Sequence, residues 1–144
     1  MKKLSILLLT FALCGNFLMS CNTSSSNLEN TKTESSAKTE DVSRDISIDE
    51  AKELIDKGEV NLILDVRNPD EFAEGHLKNA VLIPLKDLKK NIGEIEKFKD
   101  KLVLVYCRSG KRSADAIKIL KENGFTNIVH MKDGIIKWDG DIEK

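Results

Sequence analysis

Apolar residues are concentrated in the last hundred residues of the chain as short runs separated by periodic, half-polar segments. Leu62–Leu64, Val81–Ile83, Leu102–Tyr106 and Ile128–Val129 are runs of this kind. Their brevity and content of β-branched residues predict strands, and Leu102–Tyr106, apolar throughout, predicts one buried on both faces. Between them the apolar positions recur at helical spacing. Ser47-Ile48-Asp49-Glu50 reads as a capping box opening a helix to Lys57, which Gly58 ends. Pro69–Ala73 predicts a helical turn. Leu85, Leu88, Ile92 and Ile95 mark one face of a helix, and Ala114, Ile117 and Leu120 mark the buried face of another that Gly124 ends. Alternation of helices with short apolar strands predicts an α/β fold with a mostly parallel central sheet and helices on both faces.

The first 44 residues follow different rules. Lys2 and Lys3 precede an apolar run from Leu4 to Met19, and no acidic residue occurs before Glu29. A basic start with so short an apolar core predicts an export signal rather than a spanning helix. Leu18-Met19-Ser20-Cys21 resembles a bacterial lipobox, which implies cleavage after residue 20, a lipid on Cys21 and a domain held on the outer side of a cell membrane. An ordinary signal peptide and an uncleaved anchor are the alternatives. Residues 22–43 are Ser, Thr, Asn, Lys and Glu with almost nothing apolar, and predict a flexible tether. The division is then 1–20 signal, 21–44 lipidated cysteine and linker, and 45–144 folded domain.

Removal of the leader changes the charge and the cysteine count. Loss of Lys2 and Lys3 lowers 23 basic residues to 21 against 24 acidic, a formal net charge of −3. That excludes a general nucleic-acid binder. Of three cysteines, Cys14 leaves with the leader and Cys21 takes the lipid, so Cys107 is the one free thiol. A single thiol in an exported protein points to a reactive role. Two histidines and one thiol are too few for a metal centre, and no cofactor is expected.

Cys107 ends the Leu102–Tyr106 run and opens Cys107-Arg108-Ser109-Gly110-Lys111-Arg112-Ser113. A thiol is nucleophilic as the thiolate, which cationic neighbours and a helix N-terminus favour. Arg108, Lys111 and Arg112 supply charge, Gly110 permits a tight turn of inward-facing N–H groups, and Ser109 and Ser113 add hydroxyls. A second polar cluster, Asp65-Val66-Arg67, ends another strand and falls on the same sheet edge. His76 reads as a structural residue, His130 has no supporting motif, and Trp138 reads as a packing aromatic.

These residues resemble the rhodanese-like domain, whose loop pattern Cys-Arg-x-Gly-x-Arg is matched by Cys107, Arg108, Gly110 and Arg112. Asp65-Val66-Arg67, Pro69-Asp70-Glu71-Phe72, Gly75-His76, Ala80, Ile83-Pro84, Leu120, Gly124-Phe125, and Gly134 with Trp138 extend the resemblance over Ile46–Trp138. It implies a sulfurtransferase. Cys107 would take the outer sulfur of an anionic donor such as thiosulfate, hold it as a persulfide and pass it to cyanide or a thiol, with a redox protein as a further partner. It also implies that Asp65 and Arg67 line or brace the loop; the alternative is that Asp65 caps the following turn and Arg67 pairs with Glu71 or Glu74. Phe72 is a candidate for limiting water access. Phosphatase or arsenate-reductase chemistry, which uses Cys-x5-Arg, fits less well because four residues separate Cys107 from Arg112. A sulfur-carrier, redox or binding module on the same fold is the non-enzymatic alternative.

Overall fold

The computed structural model describes residues 42–144. The leader, Cys21 and residues 22–41 lie outside the described residues. Seven strands and four α-helices follow in the order β1 (Val42–Ile46), α1 (Ile48–Asp56), β2 (Leu62–Asp65), α2 (Pro69–Glu74), β3 (His76–Leu77), β4 (Ala80–Leu82), α3 (Leu85–Asn91), β5 (Val103–Tyr106), α4 (Lys111–Glu122), β6 (Asn127–Met131) and β7 (Ile142–Glu143). Five of the strands form one sheet, ordered β1-β6-β5-β2-β4, with every neighbouring pair parallel. The fold is therefore the α/β class that the alternating pattern predicts.

Side chains alternate across the sheet and divide the core in two. Leu62, Leu64, Val103, Val105 and Ile128 face α3 and α4, where they meet Leu88, Ala116, Ile117 and Leu120. Ile63, Leu104, Tyr106 and Val129 face the other way, toward Ala51 of α1 and Trp138. Both faces of β2 and β5 are thus buried, as continuous apolar runs require. The Ser47 hydroxyl accepts from Glu50 N at 3.2 Å and caps α1, but the other half of the expected capping box is missing because the Glu50 carboxylate pairs with Arg44.

Four further features differ from the sequence expectation. The first strand begins at Val42, ahead of the expected domain start at Asp45, and its register along β6 runs from Val42↔Asn127 to Ile46↔Met131. It is an edge strand reading Val-Ser-Arg-Asp-Ile, so it lacks the apolar signature of the inner strands. A two-residue antiparallel pairing of β3 with β7 carries no sequence pattern at all. The Leu85–Ile95 helix is two pieces, α3 and a 3₁₀ stretch over Ile92–Phe98. There Ile92, Ile95 and Phe98, three apart, fall on one face of a three-residue turn and reach the core. Finally, α4 buries Ser113, Ala116, Ile117 and Leu120, while Ala114 is exposed. The helix is turned so that Ser113 points inward.

Tyr106 fastens β3 to the sheet. Its ring is wholly buried, and its hydroxyl accepts from Leu77 N at 3.2 Å. Tyr106→Phe leaves that N–H without its partner, and a loss of about 1–3 kcal/mol in urea unfolding is expected.

Candidate active site

The parallel sheet sends the ends of β2 and β5 to one edge, with Asp65 in register beside Tyr106. Cys107 follows β5, and the turn Cys107-Arg108-Ser109-Gly110 leads directly into α4. The sulfur is deep, since Cys107 is only 1% exposed.

Two glycines make this turn possible. Gly110 has φ +86°, and a Cβ there would lie 1.9 Å from the Lys132 carbonyl oxygen. Gly134 has φ +67°, and a Cβ there would lie 2.3 Å from the Arg108 carbonyl oxygen. The loop and the segment after β6 are thus pressed backbone to backbone. Ile135 N donates to Cys107 O at 2.9 Å and Ile136 N to Arg108 O at 3.1 Å. The N–H groups of Ser109, Gly110 and Ser113 bond to the sulfur. Ser113 Oγ lies 3.5 Å from Sγ. Burial pushes the thiol up, but the Ser113 hydroxyl and the three N–H groups outweigh it and hold Cys107 below the ordinary thiol value.

The cations around the loop divide into two kinds. Arg112 grips Glu71 with both ends of its guanidinium, Nη1 to Oε2 at 2.6 Å and Nη2 to Oε1 at 2.8 Å. Its charge acts on Cys107 from α4, but its donors facing Glu71 are committed. Arg108 and Lys111 are exposed and form no ion pair with another described residue. Ser109 is exposed beside them. A cleft of about 210 Å³ bounded by Arg67, Glu71, Glu74, Arg108, Ile135 and Ile136 adjoins the loop.

Asp65 and Arg67 form a buried pair. Asp65 Oδ1 accepts from Arg67 N at 2.9 Å, capping the turn, while Oδ2 accepts from Arg67 Nε at 2.9 Å and Nη2 at 2.6 Å. Arg67 Nη2 also donates to Gly75 O at 2.8 Å. The turn-capping alternative for Asp65 holds, whereas Arg67 pairs with Asp65 itself and Glu71 goes to Arg112. Arg67 nevertheless lines the cleft. The Phe72 ring stacks on His76 at 3.6 Å, and His76 Nδ1 contacts Phe72 O at 3.0 Å. His76 is accordingly held as a structural residue.

One residue at the site carried no motif. His130, 8% exposed on β6, places Nε2 2.8 Å from Ser113 Oγ and Nδ1 2.8 Å from Asp45 Oδ1. Its signal in the sequence is a polar residue within the otherwise apolar run Ile128–Met131, at a position whose neighbours alternate between the two faces. No group of three or more His, Cys, Asp or Glu side chains among the described residues is arranged to hold a metal ion.

In this parallel α/β fold one buried sulfur at the carboxyl edge of the sheet is ringed by backbone N–H groups. The chain belongs to the rhodanese-like domain family, whose sequence pattern matches residues 47–141. It is 36% identical over 98 residues to YtwF of Bacillus subtilis, a putative sulfurtransferase, covering 68% of this chain and 92% of that one. It is 43% identical over 81 residues to the uncharacterized YqhL of the same organism, covering 56% of this chain and 63% of YqhL, less than two thirds of that relative's length. The crystal structure of a rhodanese-like domain protein from Staphylococcus aureus superposes with a TM-score of 0.63 at 31% identity, over 69% of this chain and 96% of that one.

The Glu71–Arg112 pair has a defined acid limit. Arg112 holds the Glu71 carboxyl down to about 2 from an ordinary 4.5. A depressed carboxyl stabilises the fold fully above its unfolded value and loses that contribution as the pH falls through the folded one. Glu71→Gln is expected to cost on the order of 1–2 kcal/mol at pH 7, given the partial exposure of both groups. Urea midpoints measured from pH 7 to 2 should show the gap between the two proteins constant to about pH 4.5 and closing toward pH 2.

Proposed function

We propose that this protein is an exported, lipid-anchored sulfurtransferase that moves a sulfane sulfur through a persulfide on Cys107. The observation that carries the reading is the buried Cys107 sulfur inside a ring of N–H groups beside two exposed, uncommitted cations. In the first step the Cys107 thiolate attacks the outer sulfur of thiosulfate. A new S–S bond forms, the old S–S bond breaks, and sulfite leaves with that electron pair. The enzyme then carries Cys–S–S⁻, whose charge the loop N–H groups stabilise. In the second step cyanide or a thiolate takes the terminal sulfur and the Cys107 thiolate is restored, a ping-pong sequence. Thiocyanate leaves when cyanide is the acceptor.

Donor recognition falls to Arg108 and Lys111, because Arg112 is neutralised by Glu71. The same commitment speaks against phosphoryl transfer, in which the arginine closing the loop must grip the phosphoryl oxygens. The leader from Lys2 to Met19 and the Leu18–Cys21 motif support export and a lipid on Cys21, with a redox protein keeping Cys107 reduced outside the cytoplasm.

Intact mass of the reduced protein, recorded before and after thiosulfate and again after cyanide, tests the reading. A gain of one sulfur atom at Cys107, reversed by cyanide with release of thiocyanate, is expected. Cys107→Ser should show neither gain nor turnover; turnover at the wild-type rate in that variant would overturn the mechanism. Arg108→Ala should raise KM for thiosulfate about tenfold with little change in kcat, since a charge that steers the donor contributes to binding.

A further inference from the structure

The nest of N–H groups stabilises a Cys107 thiolate, but it does not take the thiol proton. Cys107 is only 1% exposed, so bulk water is a poor acceptor for that proton. The structure provides another route. Ser113 Oγ stands 3.5 Å from Sγ and 2.8 Å from His130 Nε2, and His130 Nδ1 stands 2.8 Å from Asp45 Oδ1. The four groups come from four separate places, the turn after β5, α4, β6 and β1, and the chain they form ends at a side chain 63% exposed to solvent. His130 and Asp45 are register partners on adjacent parallel strands, so the sheet itself sets their approach.

The donor and acceptor roles follow from valence. An ionised Asp45 only accepts, so Nδ1 carries a proton. With His130 neutral, Nε2 is an acceptor, and the Ser113 hydroxyl has one proton for three acceptors: Nε2, Sγ, and Gly110 O at 2.9 Å. With His130 protonated, Nε2–H donates to Ser113 Oγ and lies 3.2 Å from Gly110 O, which frees the hydroxyl proton for the sulfur. A thiol paired with neutral imidazole and a thiolate paired with imidazolium are therefore the two consistent settings of one hydrogen-bond chain.

We propose that His130 and Asp45 are positioning residues that act through Ser113, accepting the Cys107 proton so that the sulfur ionises as a thiolate–imidazolium pair. In that step the Cys107 S–H bond breaks and its electron pair stays on sulfur. The proton bonds to Ser113 Oγ as the original Ser113 proton bonds to His130 Nε2. No electrons are exchanged. Asp45 stabilises the cation through Nδ1–H and gives the proton an exit to solvent. The charged groups facing the pair are Asp45 from β1 and Arg112 from α4, the latter held by Glu71. The inference rests on Cys107 being the reactive thiol and is independent of which donor or acceptor it serves.

Carboxamidomethylation by iodoacetamide tests it in the full chain, read at the Cys107 peptide by mass across pH 4–10. This measurement needs no sulfur transfer, so expected alkylation with no sulfur gain from thiosulfate would overturn the proposed function alone. Asp45→Asn removes the charge from an exposed side chain while keeping an acceptor for Nδ1, and His130→Gln removes the base while keeping a polar contact to Ser113. Each is expected to slow alkylation at pH 6 about tenfold and to move the half-maximal pH upward. Ser113→Ala should do the same, and adding His130→Gln to Ser113→Ala should slow the reaction no further. Profiles superimposable on wild type in Asp45→Asn and His130→Gln would overturn the relay. So would independent, multiplicative losses in the double variant. If His130→Gln does not fold, Asp45→Asn decides the question by the same criterion.

Discussion

A sulfur that is to carry charge inside a protein must be solvated by the protein, and the proposed role of Cys107 places that requirement on its loop. Transfer of an uncompensated ion out of water is prohibitive, so a buried thiolate persists only where fixed dipoles stand in for water. Here those dipoles are the backbone N–H groups of Ser109, Gly110 and Ser113. The carbonyls of Cys107 and Arg108 are taken by Ile135 and Ile136. The close packing of Gly110 on Lys132 and of Gly134 on Arg108 fixes that arrangement, so the segment after β6 is as much part of the site as the loop bearing the nucleophile.

The charges around the loop are organised with the same economy. Glu71 removes Arg112 from the solvent-facing set, and Asp65 does so for Arg67, tying it to the turn after β2. The Glu71–Arg112 pair fastens the stretch from Asp65 to Gly75 to the first turn of α4, and Arg67 closes that stretch on itself through Asp65 and Gly75 O. Arg108, which lines the adjoining cleft, and Lys111 are exposed and form no ion pair with another described residue.

Much of this was legible in the chain. The inner strands could be read because burial on both faces demands unbroken apolar runs, and Cys107 could be read because an abrupt change from Tyr106 to a cationic turn has few structural uses. The site's partners were harder. Glu71 and Arg112 are 41 positions apart, and His130 and Asp45 are 85 apart, so nothing in local spacing joins them. The edge strand β1 was taken for linker because an edge needs only one apolar anchor, here Ile46. The face of α4 was misplaced by one residue for a chemical reason. Hydrophobic periodicity favours Ala114 for the interior, whereas the sulfur and His130 require Ser113 there.

The position of β1 has a consequence for how the protein is made. It is the first strand among the described residues, yet its one neighbour there is β6, which ends at Met131. The central pairs of β2 with β4 and β5 can close on a partial chain, but β1 waits for nearly the whole sequence, a long-range contact of the kind that slows folding. Asp45 meets His130 only in that last step. Until β1 docks, the hydrogen-bond chain from Cys107 to Asp45 is incomplete, so the setting of the sulfur is among the last features of the fold to form.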